Sequence, residues 1–247
     1  YYEDVLKRIP RPEIVKYEKI LQKQFNEVKT SKNSTFQIVG SYLRGAKTSG
    51  DIDIIITNSD NDPKIFKDFI DKLEKENILV EILSKGAKKS MAIGKMGNNP
   101  ARRLDFMYSS PEEYPFATLY FTGSKAFNVV MRQRAVDMGY TMNEHGLYKL
   151  VDVQGKKKKQ KGDKIDNEFK SEHDVFDFLG MIYKKPTERK TGQGVNFIEE
   201  QEDLKPPKNE KTETEKKSKG ATDKKSEKKT EKKSEKKSEK KTMKKKL

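Results

Sequence analysis

The chain has 247 residues, of which 38% are charged, well above the roughly 25% of an ordinary domain. Of its +15 net charge, residues 205–247 hold +11 (19 lysines against 8 acids), so the rest is only mildly basic. The lack of cysteine excludes disulfides, thiol nucleophiles and cysteine-ligated zinc or iron–sulfur centres, two histidines are too few for a histidine-rich metal site, and no apolar run nears the ~20 residues of a membrane span.

No signal peptide is visible, and a first residue of Tyr1 leads us to expect a piece of a longer protein. Residues 10–29 read as a helix: Pro10 and Pro12 suit its start, and Ile14, Val15, Ile20, Leu21, Phe25 and Val28 recur near a 3.6-residue period. Phe36–Val39 and Asp51–Thr57 read as strands joined by a flexible loop. A helix follows near Pro63, with Ile65, Phe66, Phe69, Ile70 and Leu73 as its apolar face. Val80–Leu83, Ser90–Ile93 and Arg103–Tyr108 are three further short strands, so residues 1–108 read as helices on a small sheet. Beyond Ser109 the pattern predicts a helix after Pro111, a break at Thr122-Gly123 and a second helix through Arg134. A hairpin in "TMNEHGLYKLV" comes next, then a helix capped by Ser171 with Val175, Phe176, Leu179 and Ile182 inward. This second, smaller α/β subdomain spans 109–186. Residues 187–204 read as a linker, and 205–247, repeating "SEKK" and "TEKK", as a disordered tail too apolar-poor to offset its ordering entropy.

The chemistry gathers in "VGSYLRGAKTSGDIDIIIT", Val39–Thr57. Asp51 and Asp53 lie two apart in a strand, so both carboxylates share one face, expected to be open to solvent, while Ile52, Ile54 and Ile56 face a core. Carboxylates so close raise each other's pKa unless a cation sits between them, and all-oxygen ligands suit Mg²⁺. Upstream, Gly40-Ser41, Arg44, Lys47 and Ser49-Gly50 supply turn amides, hydroxyls and cations for a phosphate. Metal ligands and a phosphate cradle in one unit point to a nucleoside triphosphate with Mg²⁺. Asp105, alternating with Leu104 and Phe106 in "RRLDFMY", supplies a third carboxylate for two-metal chemistry.

Six motifs in unbroken order resemble family X DNA polymerases of the polymerase beta type: "RIPR", "GSYLRGAKTSGDIDIIIT", "LSKG", "RRLD", "YFTGS" and "TMNEHGLY". The resemblance covers residues 1–186. It implies an α+β fold: a nucleotidyltransferase palm, a small mixed sheet with packed helices, followed by a smaller subdomain that closes on the nascent base pair. It implies template-directed transfer of dNMP from a dNTP to a primer 3′-hydroxyl, with short-gap filling in DNA repair such as base excision repair. Two Mg²⁺ ions, or Mn²⁺ in their place, would be held by Asp51, Asp53 and Asp105, the last also helping to deprotonate the primer hydroxyl. Arg8, Gly40, Ser41, Arg44, Ser49 and Gly50 would hold the triphosphate. Tyr120, Phe121 and Gly123 would pack on the sugar and disfavour a ribose, and Asn128 would meet the incoming base. Arg103 would sit near the primer terminus and Arg132 on the template. Lys125, Val129 and Met107 depart from the family pattern, which puts in doubt the contacts to the base and template and an arginine ion-pair switch. Nothing in these residues resembles the lyase domain that the family places upstream.

Lys85, Lys88 and Lys89 have two open readings, primer phosphates or a solvated basic turn. The segment from Leu83 to Arg102 is short, whereas template-independent relatives carry a longer loop there. The lysine tail likewise reads either as a DNA-binding or nuclear-import arm or as a solubilising one. The expected partners are primer–template or gapped duplex DNA and dNTPs, with no membrane and a monomeric chain, in a nucleus or in the factory or virion of a large DNA virus. Two rivals stand beside this reading: a transferase that extends RNA or works without a template, against which "YFTGS" argues, and a catalytically weak DNA-end-binding protein, against which the three aspartates argue.

Overall fold

The computed structural model describes residues 1–29, 33–154 and 158–198; the tail expected to be disordered, 205–247, lies outside the described residues. Helix α1 (Tyr2–Val5) and the short strand β1 (Ile9–Pro10) precede α2 (Arg11–Val28), which carries Pro12 in its first turn, where no amide partner is lost. Next come β2 (Thr35–Ile38), α3 (Gly40–Leu43), β3 (Thr48–Ser49), β4 (Ile52–Thr57), α4 (Lys64–Lys75), β5 (Leu79–Lys85), β6 (Lys89–Gly94) and β7 (Arg102–Tyr108). The expected flexible loop after Val39 is therefore partly helical, and it returns through β3, which pairs with β1.

The main sheet has the order β2-β4-β7-β6-β5. Its β4–β7 pair is parallel and the other pairs are antiparallel. One face is closed by α2 and α4. Ile14, Tyr17, Leu21 and Phe25 from α2 and Phe66, Phe69 and Leu73 from α4 bury Ile52, Ile54, Ile56, Leu104 and Phe106 in one core. Phe69 stands at its centre, edge-on to Phe25 at 5.1 Å and to Phe106 at 6.2 Å between ring centroids. This burial makes the β4 alternation strict and fixes which side chains face the other way.

The second subdomain comprises α5 (Tyr114–Thr122), α6 (Lys125–Asp137), an antiparallel sheet of β8 (Tyr140–Asn143), β9 (Gly146–Val151) and β10 (Gln160–Lys164), and α7 (Glu172–Phe178). Ser124 caps α6 by accepting the Phe127 amide at 3.2 Å. At the start of α7 the Asp174 carboxylate accepts the amides of Lys170 and Ser171 at 2.7 and 2.9 Å. Phe116, Leu119, Phe127, Met131, Leu147, Val175, Phe176 and Leu179 form its own core. Strand β10 escapes prediction because "QKGDK" has no apolar alternation; as an edge strand it is held by backbone pairing with β9 and by Lys161, whose ammonium lies 3.4 Å from the Tyr148 ring centroid.

Two expectations need correction. Ile182 is exposed rather than inward, because α7 ends at Phe178 and Gly180 turns the chain at φ +61. The stretch read as a linker from residue 187 begins inside the fold. Arg189 is fully buried, its guanidinium paired with Glu172 at 3.0 and 2.6 Å and bonded to the Lys184 carbonyl at 2.8 Å. The Arg189 carbonyl accepts the Ser124 amide at 3.0 Å, tying this segment to the start of α6. Removing one partner of a buried pair leaves the other charge unpaired, so Arg189→Met is expected to destabilise the protein by about 3–5 kcal/mol, read from urea denaturation; a loss within experimental error would return the segment to a linker role.

Candidate active site

Parallel pairing sets Asp53 of β4 directly beside Asp105 of β7. Asp51 lies just before β4, and one ligand atom from each of the three carboxylates lies within 4.8 Å of the others. Gly40 makes this closeness possible. Its φ is +63, and a Cβ there would overlap the Asp53 carboxylate. The "RRLD" run divides by strand alternation. Arg102 points into the fold, where it is bidentate to Glu13 at 2.7 and 2.9 Å and donates to the Lys7 carbonyl at 3.1 Å. Arg103 points to the carboxylates, donating to Asp51 and placing its Nε 3.2 Å from Asp105 Oδ1.

Electrostatics mark this as a cation site. Burial, then Asp51 and Asp105, push the Asp53 pKa up to about 7, against the pull of Arg103 and Arg44. Burial also raises Asp105, although Arg103 opposes it. The Arg103 Nε–Asp105 Oδ1 approach lacks hydrogen-bond geometry, so among the described residues that buried carboxylate oxygen has no hydrogen-bond partner. Three carboxylates this close, with Arg103 as their nearest cation, fit a hard divalent ion.

The expected carboxylate face is not all open. Asp53 and Asp105 share it with Ile55 and Met107, which are buried against Ala117 of α5. On the phosphate side, Ser41 Oγ donates to Ser49 Oγ at 2.7 Å. The β1–β3 pairing holds Arg8 beside Thr48, with Nη2 2.7 Å from the Thr48 carbonyl, and against Gly50, whose added Cβ would sit 3.3 Å from its Nη1. Arg44 donates to the Thr122 carbonyl at the end of α5, joining the two subdomains. Lys47 is exposed.

Tyr120 and Phe121, edge-on at 5.2 Å, form a shared wall between two cavities. One, about 610 Å³, is lined by Arg44, Gly123, Asn128 and Arg132 as well as Lys125. The other, about 440 Å³, contains Asp53, Asp105, Lys89 and Glu144. Asn128 also donates to the Tyr120 carbonyl at 2.7 Å, which steadies the wall. The basic turn does not converge on the carboxylates as a group. Lys85 is held by Asp71 and Glu74 of α4, the former at 2.9 Å, and stays partly exposed. Lys88 lies 5.9 Å from the Tyr108 ring centroid, and Lys89 pairs with Glu144 at 3.1 Å. The structure also brings in Thr122, through a backbone carbonyl that no side-chain pattern reveals, and Glu144.

A sheet with carboxylates in register, backed by two helices and faced by a second subdomain, is the architecture of a nucleotidyltransferase palm with its thumb. Residues 8–111 match the family model of the DNA polymerase beta palm, and residues 117–190 that of the DNA polymerase beta thumb. The crystal structure of Leishmania infantum polymerase beta in a ternary P/T complex aligns with a TM-score of 0.66 at 34% identity, covering 76% of this chain and 79% of that one. DNA polymerase lambda of Rattus norvegicus is 31% identical over 201 residues, 76% of this chain and 34% of that protein. DNA polymerase lambda of Arabidopsis thaliana is 29% identical over 202 residues, and a DNA nucleotidylexotransferase of Xenopus laevis 26% over 232. The chain belongs to family X of DNA polymerases, the polymerase beta family. It spans between 34% and 42% of the length of these curated relatives.

The Asp53 shift has a signed consequence. In the unfolded chain this carboxyl releases its proton near 3.8, whereas the folded one keeps it to about 7. The folded state thus binds the extra proton over that window, and the stability due to this group falls as pH rises through it. In chelator, the thermal midpoint should drop between about pH 4 and about pH 7 and level off above, less steeply with Mg²⁺ present. Asp53→Asn should remove this part of the slope, and equal slopes for the two proteins in chelator would refute the assignment.

Proposed function

We propose that this chain is the polymerase portion of a template-directed DNA polymerase that fills short gaps, moving dNMP from a dNTP to a primer 3′-hydroxyl. The observation that carries this reading is the in-register Asp53–Asp105 pair with Asp51 beside it. Asp51 and Asp53 would hold two Mg²⁺ ions and Asp105 the one nearer the primer, where such ions neutralise triphosphate charge and make the hydroxyl a better nucleophile. Asp105 also receives the hydroxyl proton, a role suited to a carboxyl whose pKa burial has raised. Arg8, Ser41, Ser49 and the backbone at Gly40 and Gly50 orient the triphosphate, so that positioning supplies most of the rate. Arg44 links that seat to the thumb through Thr122. Tyr120 and Phe121 present the sugar with a wall, and Asn128 stands beside it. The stretch between Leu83 and Arg102 is largely the β5–β6 hairpin, leaving only 95–101 between β6 and β7. That leaves little chain with which to replace a template, which supports templated synthesis.

The net +11 of residues 205–247 is read as an electrostatic arm for DNA, each neutralised phosphate steepening the salt dependence by about 0.9 in log–log slope.

The test is a duplex with a one-nucleotide gap, Mg²⁺ and single dNTPs or rNTPs. Extension only by the complementary dNTP is expected. Extension by any nucleotide favours the template-independent reading, and none at all the end-binding one. Asp105→Ala is expected to lower the single-turnover rate by at least about a thousandfold while gapped-DNA affinity stays within about twofold; near-normal turnover would sink the role given to Asp105.

A further inference from the structure

The loop that carries Gly40, Ser41, Ser49 and Gly50 cannot hold its shape by itself. Its two elements, α3 and β3, have four and two residues, too few to be stable in isolation. The grip comes from the start of α2. Arg11 opens that helix and holds the loop's backbone at several points. Its Nη1 donates to the Tyr42 carbonyl at 2.7 Å and reaches the Ala46 carbonyl at 3.5 Å, and its amide donates to the Lys47 carbonyl at 3.0 Å. Its guanidinium also covers the Tyr42 ring, 4.2 Å from the centroid. Glu18, about two turns further along the same face of α2, accepts the Tyr42 hydroxyl at 2.9 Å. Burial, then this bond, raises the Tyr42 pKa, so the hydroxyl stays a donor. The helix itself gains nothing from Arg11: a cation at a helix N-terminus opposes the dipole, and among the described residues Arg11 makes no ion pair with a carboxylate.

We propose that Arg11, Tyr42 and Glu18 form a clamp that presets the triphosphate seat, so that Ser41 and Ser49 stand in place before a nucleotide arrives. The proposal rests on the reading of the Gly40–Gly50 loop as that seat, and deepens it. Tyr42 follows Ser41 directly, and Ser41 Oγ meets Ser49 Oγ at 2.7 Å across the loop, so a shift of Tyr42 parts the two hydroxyls. A preset seat loses less freedom when the triphosphate binds, and the gain falls on nucleotide affinity rather than on the chemical step. All three are positioning residues, since they act through Ser41 and the loop backbone. Within "RIPR" the two arginines therefore differ: Arg8 lies against Gly50, and Arg11 lies on Tyr42.

The experiment compares Tyr42→Phe, Glu18→Ala, the pair E18A/Y42F, the conservative Glu18→Gln and Arg11→Lys, all in the full chain. Amide hydrogen exchange over residues 40–50, without DNA or nucleotide, reads the clamp, with α4 as the internal reference. Tyr42→Phe and Glu18→Ala should each speed exchange in 40–50 about fivefold and leave α4 unchanged. The pair should do no more than either alone, because both remove one bond, and Glu18→Gln, which still accepts, should stay within about twofold of wild type. Arg11→Lys should cost about tenfold, since an ammonium cannot replace the planar fork on both carbonyl and ring. Single-turnover incorporation on gapped DNA should show the dNTP Kd rising by the same factors, with the saturated rate and gapped-DNA affinity within about twofold. Additive effects in the pair, or exchange rising equally in α4, overturn the clamp and make these contacts ordinary packing. So does faster exchange in 40–50 with an unchanged dNTP Kd. The kinetic arm rests on the polymerase reading and the exchange arm does not. A wild-type chain that incorporates nothing therefore overturns that reading alone, and exchange still decides the clamp.

Discussion

Like-charge repulsion among Asp51, Asp53 and Asp105 is the constraint around which this protein is built. Left to themselves, three carboxylates within 4.8 Å would move apart or take up protons. Parallel backbone pairing of β4 with β7 forbids the first, because shifting either strand by one residue would turn Ile54 or Phe106 out of the core. The helices α2 and α4 on the opposite face make that register rigid, so the apolar core around Phe69 is what keeps the charges together. Arg103 and the raised pKa of Asp53 are the protein's own partial answers to the repulsion; a divalent cation is the fuller one.

The same sheet face changes character within one strand. Asp53 and Asp105 lie in a cavity, and the next residues on that side, Ile55 and Met107, are sealed by α5. The boundary between charged site and apolar interface is therefore only two residues wide. Any rotation of the thumb about α5 moves the Tyr120–Phe121 wall relative to the carboxylates. Apolar contact, hydrogen bonds from Arg44 to the Thr122 carbonyl and from Tyr114 of α5 to Gln37 of β2, and an ion pair from a palm lysine to the thumb hairpin tie the two subdomains.

Buried charge is used differently in the two subdomains. In the palm, Arg102 and Glu13 bind β7 to α2 and the N-terminal segment; in the thumb, Arg189 and Glu172 bind the chain beyond α7 back to the start of that helix. Both arginines satisfy further backbone carbonyls, Lys7 and Lys184, which offsets part of the desolvation of the pair. Neither pair follows from local pattern. Residues 187–204 are polar and look like a linker, and it is distant groups, Glu172 first among them, that give Arg189 a reason to be buried.

Local pattern carried most of the elements and the heart of the site. Helical periodicity around Phe25 and Phe69, alternation through Ile52–Ile56 and the capping position of Ser171 are short-range signals, and each is set by residues within a turn or two. The pairing of Asp51 with Asp53 on one face was legible for the same reason. What sequence could not decide is where long side chains end. Lys85, Lys88 and Lys89 are adjacent in a basic turn, yet one lies on α4, one over Tyr108 and one on the thumb. Nor could it supply the edge strand β10, which carries no apolar alternation, or the closure of the carboxylate face by Ala117. Taken by itself, the sequence determined the elements and the identity of the three carboxylates, since both depend on spacing along the chain. Tertiary structure decided their common register and the thumb contacts, because these depend on which distant segments meet, and a local sequence pattern records no such meeting.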